Sequence, residues 1–144
     1  MYLRKVTELD LLDFYEAYYS PNRGEFAPDD FTDFKTFETE FLNTGFFKDD
    51  FKTYLAIEDN VMVGCGFLFN SEYGLELGTF VFSTLSKGTG TKITKLLIEE
   101  APTKEVWCTP KLLNSPSCRM VEKCGFIRKD TVQDYALYRI VKGQ

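Results

Sequence analysis

The sequence predicts an α+β fold in which helices pack on a mixed, mostly antiparallel sheet, with the element order βααβββαβαββ. Apolar residues recur at helical spacing in some segments and alternate in others, and glycine, proline and asparagine separate these segments. The chain has 144 residues, of which 44% are hydrophobic and 27% charged. This length and ordinary globular composition predict one domain over residues 1–144.

The first predicted elements are a short strand and a helix. Residues 2–6 predict the strand, and apolar residues then recur at helical spacing from Leu9 to Tyr18. Ser20-Pro21 interrupts this pattern, because proline does not continue a helix. Residues 20–29 contain prolines and a glycine, and they therefore predict a loop.

A stripe of phenylalanines predicts the second helix. Asp29 or Asp30 is expected to cap its first turn, and Gly45 is expected to end it. Such a stripe most often packs in the core, and lining an apolar pocket for a substrate is the alternative. The stripe consists of Phe31, Phe34, Phe37 and Phe41.

After residue 50 the periodicity changes to that of strands. Residues 54–58 and 61–69 flank Asp59-Asn60, a tight-turn signal, and so predict a β-hairpin. A turn at 70–74 and a third antiparallel strand at 75–82 follow. The remaining predicted elements are a helix at 92–101 ended by Pro102, a strand at 105–109, a short helix at 115–124, and a closing strand pair at 126–129 and 135–141.

The composition excludes several classes of function. The chain has no histidine, which removes Ser-His-Asp and Cys-His catalytic groups, histidine-ligated metals and histidine bases. Its 17 basic and 22 acidic residues leave a net charge of −5, so nucleic-acid binding through a basic surface is not expected. An acidic chain favours a cationic partner.

The cysteines and the apolar runs bear on metals, membranes and location. No two cysteines form a Cys-x-x-Cys pair, and we therefore expect no metal site. No apolar run has the length of a membrane span and no signal-peptide pattern opens the sequence, so we expect no membrane association and a cytoplasmic location. The cysteines are Cys65, Cys108, Cys118 and Cys124.

A glycine turn joins the strand at 75–82 to the helix that follows it. Gly88 and Gly90 allow the backbone to approach an anion closely, and Lys87 and neighbouring threonines can add contacts. A dinucleotide-binding fingerprint would need a third glycine where Ile93 stands, and the P-loop pattern does not match either. The turn therefore predicts a phosphate site of another kind.

Two motifs, taken together and in this order, carry a family resemblance. Residues 85–90 read Leu-Ser-Lys-Gly-Thr-Gly, and the second motif runs from residue 114 to residue 126. They resemble the Arg/Gln-x-x-Gly-x-Gly/Ala loop and the Asn-x-x-Ala-x-x-x-Tyr-Glu-Lys-x-Gly-Phe motif of the GCN5-related N-acetyltransferases (GNAT family). The second motif is matched by Asn114, Glu122, Lys123, Gly125 and Phe126, with Ser117 at the Ala position and Val121 at the Tyr position.

The resemblance implies an acyl-CoA N-acyltransferase-like fold, with splayed central strands that admit the pantetheine arm. It implies acetyl-CoA as a cosubstrate, without a metal, and transfer to an amine of a small molecule, a peptide or a protein. Homodimers are common in the family. The cofactor-binding residues that it implies are Phe80, Val81 and Phe82 for the pantetheine arm and thioester, Leu85, Ser86, Lys87, Gly88, Thr89, Gly90 and Thr91 for the pyrophosphate, and Asn114 and Ser117 in the second motif.

The chain departs from the family pattern at two positions. Leu85 stands where the loop has Arg or Gln, and Val121 stands where a tyrosine often protonates the leaving thiolate. Either another group or water acts as the acid, or the chain binds acyl-CoA or a protein partner without turnover. A third interpretation makes the resemblance a coincidence and the chain a scaffold for partners.

Two further residues have alternative roles. Glu76 is the carboxylate best placed by sequence to act as a general base, and a solvent-facing strand position is its alternative. Asn114 can contact the cofactor arm or cap the helix that follows it, and these roles are compatible.

Overall fold

The computed structural model describes residues 1–21, 33–43, 51–83 and 87–143. In these residues seven strands and four helices follow in the predicted order, with a 3-10 turn before the first helix, and the α+β prediction is confirmed. The strands are β1 (Tyr2–Lys5), β2 (Phe51–Glu58), β3 (Val61–Ser71), β4 (Gly74–Val81), β5 (Glu105–Cys108), β6 (Ile127–Val132) and β7 (Tyr135–Val141). The helices are α1 (Leu11–Tyr18), α2 (Phe34–Asn43), α3 (Thr89–Glu100) and α4 (Ser115–Lys123).

The described strands form one sheet with the order β1-β2-β3-β4-β5-β7-β6. Neighbouring strands are antiparallel except β4 and β5, which run parallel. Parallel neighbours need a crossover connection, and α3 supplies it between these two strands. The sheet is therefore mixed and mostly antiparallel, as predicted.

The predicted hairpin turn is present between β2 and β3. Asp59 and Asn60 have φ values of 52° and 64°, the left-handed conformation that a two-residue type I′ turn requires. The helix that follows the glycine turn begins at Thr89, before the predicted residue 92. Its first turn contains threonines and a glycine, so apolar periodicity gives no signal there.

Helices cover both faces of the sheet. α1 and α2 pack on one face largely through aromatic residues, and α3 and α4 pack on the other. Phe37 and Phe41 of α2 lie against Phe14 of α1, with ring centroids 5.7 and 5.8 Å apart. The described part of the phenylalanine stripe is therefore core, and Phe31 lies outside the described residues.

The described start of α2 is capped by Asp33. Its carboxylate accepts a hydrogen bond from the Thr36 backbone N–H at 2.8 Å, and this bond lowers the pKa of Asp33 because it favours the ionised form. The predicted caps Asp29 and Asp30 and the predicted end at Gly45 lie outside the described residues.

Two glycines bring β3 close to α3. A Cβ at Gly64 would lie 2.6 Å from both Ile93 Cδ1 and the Phe80 carbonyl oxygen. A Cβ at Gly66 would lie 2.7 Å from Leu97 Cδ1. A side chain at either position would have to displace these atoms, so the glycines allow α3 to pack closely on β3.

Candidate active site

A cleft opens where β4 and β5 separate. The described ladder between them is the pair Glu76 and Trp107, and beyond it the two strands diverge. The cleft has a volume of about 250 Å³. Its walls include Leu77, Gly78 and Thr79 of β4, Cys108 and Thr109 at the end of β5, and Asn114, Ser117, Met120 and Val121 around α4. The sheet is thus splayed at the junction that the resemblance implies.

The backbone of β4 alternates between β3 and the cleft. The Phe82 N–H donates a hydrogen bond to the Val63 carbonyl at 3.2 Å, so this residue is bonded towards β3. Hydrogen-bonded and non-hydrogen-bonded pairs alternate along an antiparallel ladder. Thr79 and Val81 therefore turn their N–H and C=O groups away from β3 and towards the edge that the cleft exposes.

The other two predicted residues of this strand end lie in the aromatic core. Phe82 is buried beside Phe14, and Phe80 stacks on Tyr18 with ring centroids 4.8 Å apart. These rings fix β4 against α1 from the face opposite to α3. Their side chains support the strand from behind, and the cleft wall itself is formed by other residues.

The glycine turn leads directly into the first turn of α3. Gly88 precedes the helix with a φ of 77°, which glycine adopts without strain, and a Cβ added there would meet none of the described residues within 4 Å. Its carbonyl accepts the hydrogen bond of the Lys92 N–H at 3.2 Å, so the N–H groups before Lys92 have no partner inside the helix. Lys87 is exposed beside them, and Leu85 and Ser86 lie outside the described residues. The first-turn residues are the predicted Thr89, Gly90 and Thr91.

Buried hydroxyls connect this helix start to the cleft wall. The Thr94 hydroxyl donates to the Gly90 carbonyl at 2.8 Å and lies 2.9 Å from the Thr79 hydroxyl. Since Thr79 lines the cleft and Gly90 lies in the first turn of α3, the two parts of the predicted cofactor site are held together.

The second motif forms the opposite wall. The Asn114 side-chain oxygen accepts a hydrogen bond from the Ser117 N–H at 3.3 Å, which confirms its predicted capping role at α4. Asn114, Ser117 and Val121 all line the cleft. Val121 is 3% exposed and has no proton to donate, whereas the Ser117 hydroxyl stands one helical turn before it on the same wall.

Glu76 lies at the point where the two strands separate. Its side chain is buried, with the residue only 7% exposed, so the alternative of a solvent-facing position is wrong. The Thr109 hydroxyl donates a hydrogen bond to its Oε2 at 2.8 Å. Burying a carboxylate without such a partner would be costly. Glu76 and Thr109 line both the cleft and a second cavity.

The second cavity has a volume of about 400 Å³. The Tyr73 ring on its wall packs against Trp107, with ring centroids 5.9 Å apart. Burial, together with the negative charge of Glu72 and Glu76, raises the pKa of Tyr73. The cavity is lined by Ser71, Glu72, Tyr73, Glu76, Thr109, Val132, Gln133, Tyr135 and Leu137.

Three further titratable groups near the cleft, Cys108, Glu122 and Tyr138, have structural roles. Burial raises the pKa of the Cys108 thiol, so this residue is a poor nucleophile at neutral pH. On α4, Glu122 accepts a hydrogen bond from the Tyr138 hydroxyl at 2.8 Å. Burial and this bond raise the pKa of Tyr138. Glu122, the acidic residue of the second motif, therefore links α4 to β7 through this hydrogen bond.

Three further observations concern metals, thiols and membranes. Within the described ranges, no group of three or more His, Cys, Asp or Glu side chains could hold a metal ion. The four cysteines are all unpaired. Among the helices that the structure describes, none combines the length and the apolar character needed to cross a bilayer.

Sequence reasoning missed Thr79, Thr109 and Tyr73. Thr109 follows a strand and precedes Pro110, and a polar residue at a strand end was the available signal. Thr79 could have been placed on the cleft side from the alternation of β4. Tyr73 carried no signal, because its position beside Glu76 depends on how the β3–β4 turn meets β5.

The architecture and the splayed junction define an acyl-CoA N-acyltransferase fold. A family model described as the acetyltransferase (GNAT) domain matches residues 1–127. The chain therefore belongs to the GNAT family of acetyltransferases, which confirms the resemblance. A search of the curated proteins finds no match to this chain.

Solved structures share this fold at low sequence identity. The structure of AAC(6')-Ib in complex with paromomycin and acetyl-CoA is 20% identical, with a TM-score of 0.85 over 98% of this chain and 93% of that one. AAC(6')-Ib with coenzyme A and kanamycin is 20% identical, with a TM-score of 0.79 over 98% and 94%. A spermidine N-acetyltransferase SpeG chimera from Vibrio cholerae and hSSAT is 14% identical, with a TM-score of 0.73 over 96% and 93%.

Proposed function

We propose that the protein transfers an acetyl group from acetyl-CoA to a primary amine of a small molecule by direct attack. The observation that carries this proposal is the position of Glu76. This buried carboxylate stands between a cleft suited to an acyl-pantetheine arm and a second cavity suited to an amine. A general base must stand within reach of both substrates, and this position meets that requirement.

The described residues fit coenzyme A. The unpaired edge of β4 offers the backbone groups of Thr79 and Val81 to an extended arm. The first turn of α3 offers N–H groups and the positive end of the helix dipole to a pyrophosphate, with Lys87 beside it. Asn114 and Ser117 form the wall opposite β4. When bound, acetyl-CoA supplies the acetyl group as an activated thioester.

The proposed reaction exchanges one bond for another and moves two protons. Glu76 accepts the first proton from the ammonium form of the acceptor, directly or through a water molecule. The neutral amine then forms the C–N bond while the C–S bond of the thioester breaks, and the second proton passes from the nitrogen to the thiolate. A backbone N–H of β4 stabilises the charge on the thioester oxygen. Holding both substrates at the junction lowers the barrier by as much as about 7–11 kcal/mol.

The thiolate takes its proton from the amine nitrogen, and until then it needs a hydrogen-bond donor, which Val121 cannot be. We assign this donor role to the Ser117 hydroxyl, which stands one turn earlier on the same wall of the cleft. A hydroxyl can donate a hydrogen bond to a developing thiolate, and the thiol of coenzyme A is acidic enough to leave with this modest help.

The second cavity favours a cationic acceptor. Its wall carries the carboxylates of Glu72 and Glu76 and the rings of Tyr73 and Tyr135, all of which attract an ammonium group. Similar structures are named for aminoglycoside and spermidine acetylation. We therefore propose a small-molecule amine as the acceptor, and an amine of a peptide or protein is the alternative.

A module that binds acyl-CoA or a protein partner without turnover is the second candidate function. The observation in its favour is Val121, which places an apolar side chain where the family often has an acid. In this case acetyl-CoA would stabilise the fold, but no amine would release coenzyme A from it.

We also propose that the protein is cytoplasmic and forms a single domain. A cytoplasmic location agrees with four unpaired cysteines, since reducing compartments keep thiols free. A single domain over residues 1–144 agrees with one sheet that contains both the first and the last described strand. The homodimer stays a prediction that size measurement in solution would test.

Thermal unfolding and a thiol-release assay test the proposal together. We expect acetyl-CoA at 100 times its Kd to raise the Tm by about 5–10 °C. We expect coenzyme A release to depend on an amine from a panel containing kanamycin, spermidine and a lysine peptide. Stabilisation without release would favour the binding module, and no stabilisation would refute both candidates.

Two variants of one residue provide a matched control for cofactor binding. Gly90→Ala adds a Cβ that makes only ordinary contacts, 3.4 Å from Val81 and 3.8 Å from Met120, so it should retain the stabilisation by acetyl-CoA. Gly90→Glu places a negative charge in the first turn of α3 and should abolish it, because like charges repel. Equal stabilisation of both variants would show that the pyrophosphate does not bind there.

A further inference from the structure

We infer that Thr109 is a positioning residue that orients the Glu76 carboxylate at the junction of the two cavities. This inference rests on the proposed function, in which Glu76 is the general base. The Thr109 hydroxyl donates to Glu76 Oε2 at 2.8 Å, a normal length for a hydrogen bond to a carboxylate. Both residues line the cleft and the second cavity, so the bond lies between the two proposed substrates.

The junction needs such a bond because the backbone ladder ends there. β4 and β5 are paired at Glu76 and Trp107, and the cleft begins beyond this pair. A glutamate side chain has several rotatable bonds, and main-chain pairing does not orient its carboxylate. The hydroxyl of Thr109 crosses from the end of β5 to the side chain on β4. It thereby holds the carboxylate where the two strands separate.

The charged and titratable groups around Glu76 come from every neighbouring element. The β3–β4 turn contributes Glu72 and Tyr73, the segment at the end of β5 contributes Cys108 and Lys111, and β7 contributes Tyr135. Arg139 of β7 lies over the ring of Trp107, the β5 residue that pairs with Glu76. Among the described residues, the hydrogen bond to the Glu76 carboxylate comes from Thr109.

The hydrogen bond from Thr109 gives the two carboxylate oxygens of Glu76 different roles. Oε2 accepts the Thr109 hydroxyl, which leaves Oε1 to accept the proton of the acceptor amine. A hydrogen bond donated to a carboxylate also favours its ionised form, which is the form a base must have. Thr109 therefore acts on the reaction through Glu76 and does not itself touch the reacting atoms.

Three variants separate this role from a purely structural one. Thr109→Val keeps the shape but removes the donor, Thr109→Ala removes the donor without crowding, and Thr109→Ser keeps the donor. We expect the first two to lower kcat/KM for the amine about 10- to 100-fold, since a hydrogen bond to a charged group is lost. We expect this loss to appear chiefly in kcat, and we expect Thr109→Ser to restore most of the activity.

A double variant gives the decisive readout. In a Glu76→Gln background Thr109→Val should have no further effect, because Thr109 acts through that carboxylate. The melting temperature and the stabilisation by acetyl-CoA identify any variant that is misfolded, and Thr109→Ala replaces Thr109→Val if the valine is not tolerated.

The possible failures are distinguishable. If the wild-type protein acetylates an amine but both donorless variants match it in rate, the inference is wrong and the proposed function stands. If the losses from Thr109→Val and Glu76→Gln multiply, Thr109 does not act through Glu76 and the inference is again wrong. If the wild-type protein transfers no acetyl group to any amine, the proposed function fails and the inference fails with it.

Discussion

Replacing Glu76 by Gln removes the proposed base while keeping the size of the side chain. Glu76 is 7% exposed, so a smaller residue would leave a hole, whereas an amide of equal length fills the same space. The amide oxygen can still accept the Thr109 hydroxyl, which lies 2.8 Å from the carboxylate. The fold should therefore be retained, and the loss should appear in the chemistry.

The expected loss follows from the role of a general base. Positioned proton transfer contributes about 10²- to 10⁴-fold, so Glu76→Gln should lower kcat/KM for the amine by that factor, or about 3–5 kcal/mol. Coenzyme A release is followed with a thiol reagent, and acetyl-CoA binding is followed by the shift in Tm. Acetyl-CoA should still bind, because the proposed pyrophosphate site lies at the start of α3.

Glu72→Gln is the matched control. Glu72 lines the same cavity and carries the same charge, but it is exposed and does not line the cofactor cleft. We expect it to raise the KM for a cationic amine by less than about tenfold, as exposed charges contribute weakly, and to leave kcat unchanged. The assignment of the base is refuted if Glu76→Gln retains at least about a third of wild-type kcat/KM, far from the loss that removing a base causes.

Three further predictions concern the donor to the thiolate, the sheet and an acidic contact. Ser117→Ala should lower kcat about tenfold with little change in the KM for the amine, because a hydrogen-bond donor to the thiolate is lost. Steady-state kinetics measure both constants, and an unchanged kcat would contradict the role of Ser117. Gly64→Ala should destabilise the fold by about 1–3 kcal/mol in urea unfolding, because its Cβ would lie 2.6 Å from a backbone oxygen. Gly78→Ala is the control and should change stability by less than about 1 kcal/mol, because its Cβ would lie 3.4 Å from the nearest neighbouring atom. Equal effects of the two substitutions would refute the packing argument. The pKa of Asp10 is lowered chiefly by its hydrogen bond from Arg4. Asp10→Asn should therefore lower the free energy of unfolding by about 1 kcal/mol at neutral pH, and the difference from wild type should shrink as the pH falls below about 4. A difference in stability that does not depend on pH would contradict this prediction.

Local sequence signals predicted most of the architecture. The Asp59-Asn60 turn, the phenylalanine stripe and the Asn114 cap each depend on residues close together in the chain, and the structure shows the turn, the cap and the described part of the stripe. The start of α3 was predicted too late, because threonine and glycine carry no apolar periodicity. The glycine turn nevertheless lies directly before α3, where the first N–H groups have no partner inside the helix, and its role as a pyrophosphate site stays a prediction.

Contacts between distant strands account for what local signals did not predict. The sequence leaves open whether Glu76 is buried or faces solvent, because the residues around it in the chain cannot show that β5 runs beside β4 and brings Thr109 to its carboxylate. The second cavity depends in the same way on the β3–β4 turn, β5 and β7, which are far apart in the sequence.

The amino-acid sequence by itself determined the order of the elements, the family and the glycine turn before α3, because each is written in the spacing of neighbouring residues. The tertiary structure alone decided that Glu76 is buried at the junction, that the Thr109 hydroxyl donates to its carboxylate and that a second cavity adjoins it. The physical reason is that a side chain's environment is set by the strands that pack beside it. In this sheet β5 lies beside β4, and the chain reaches β5 only after the crossover through α3.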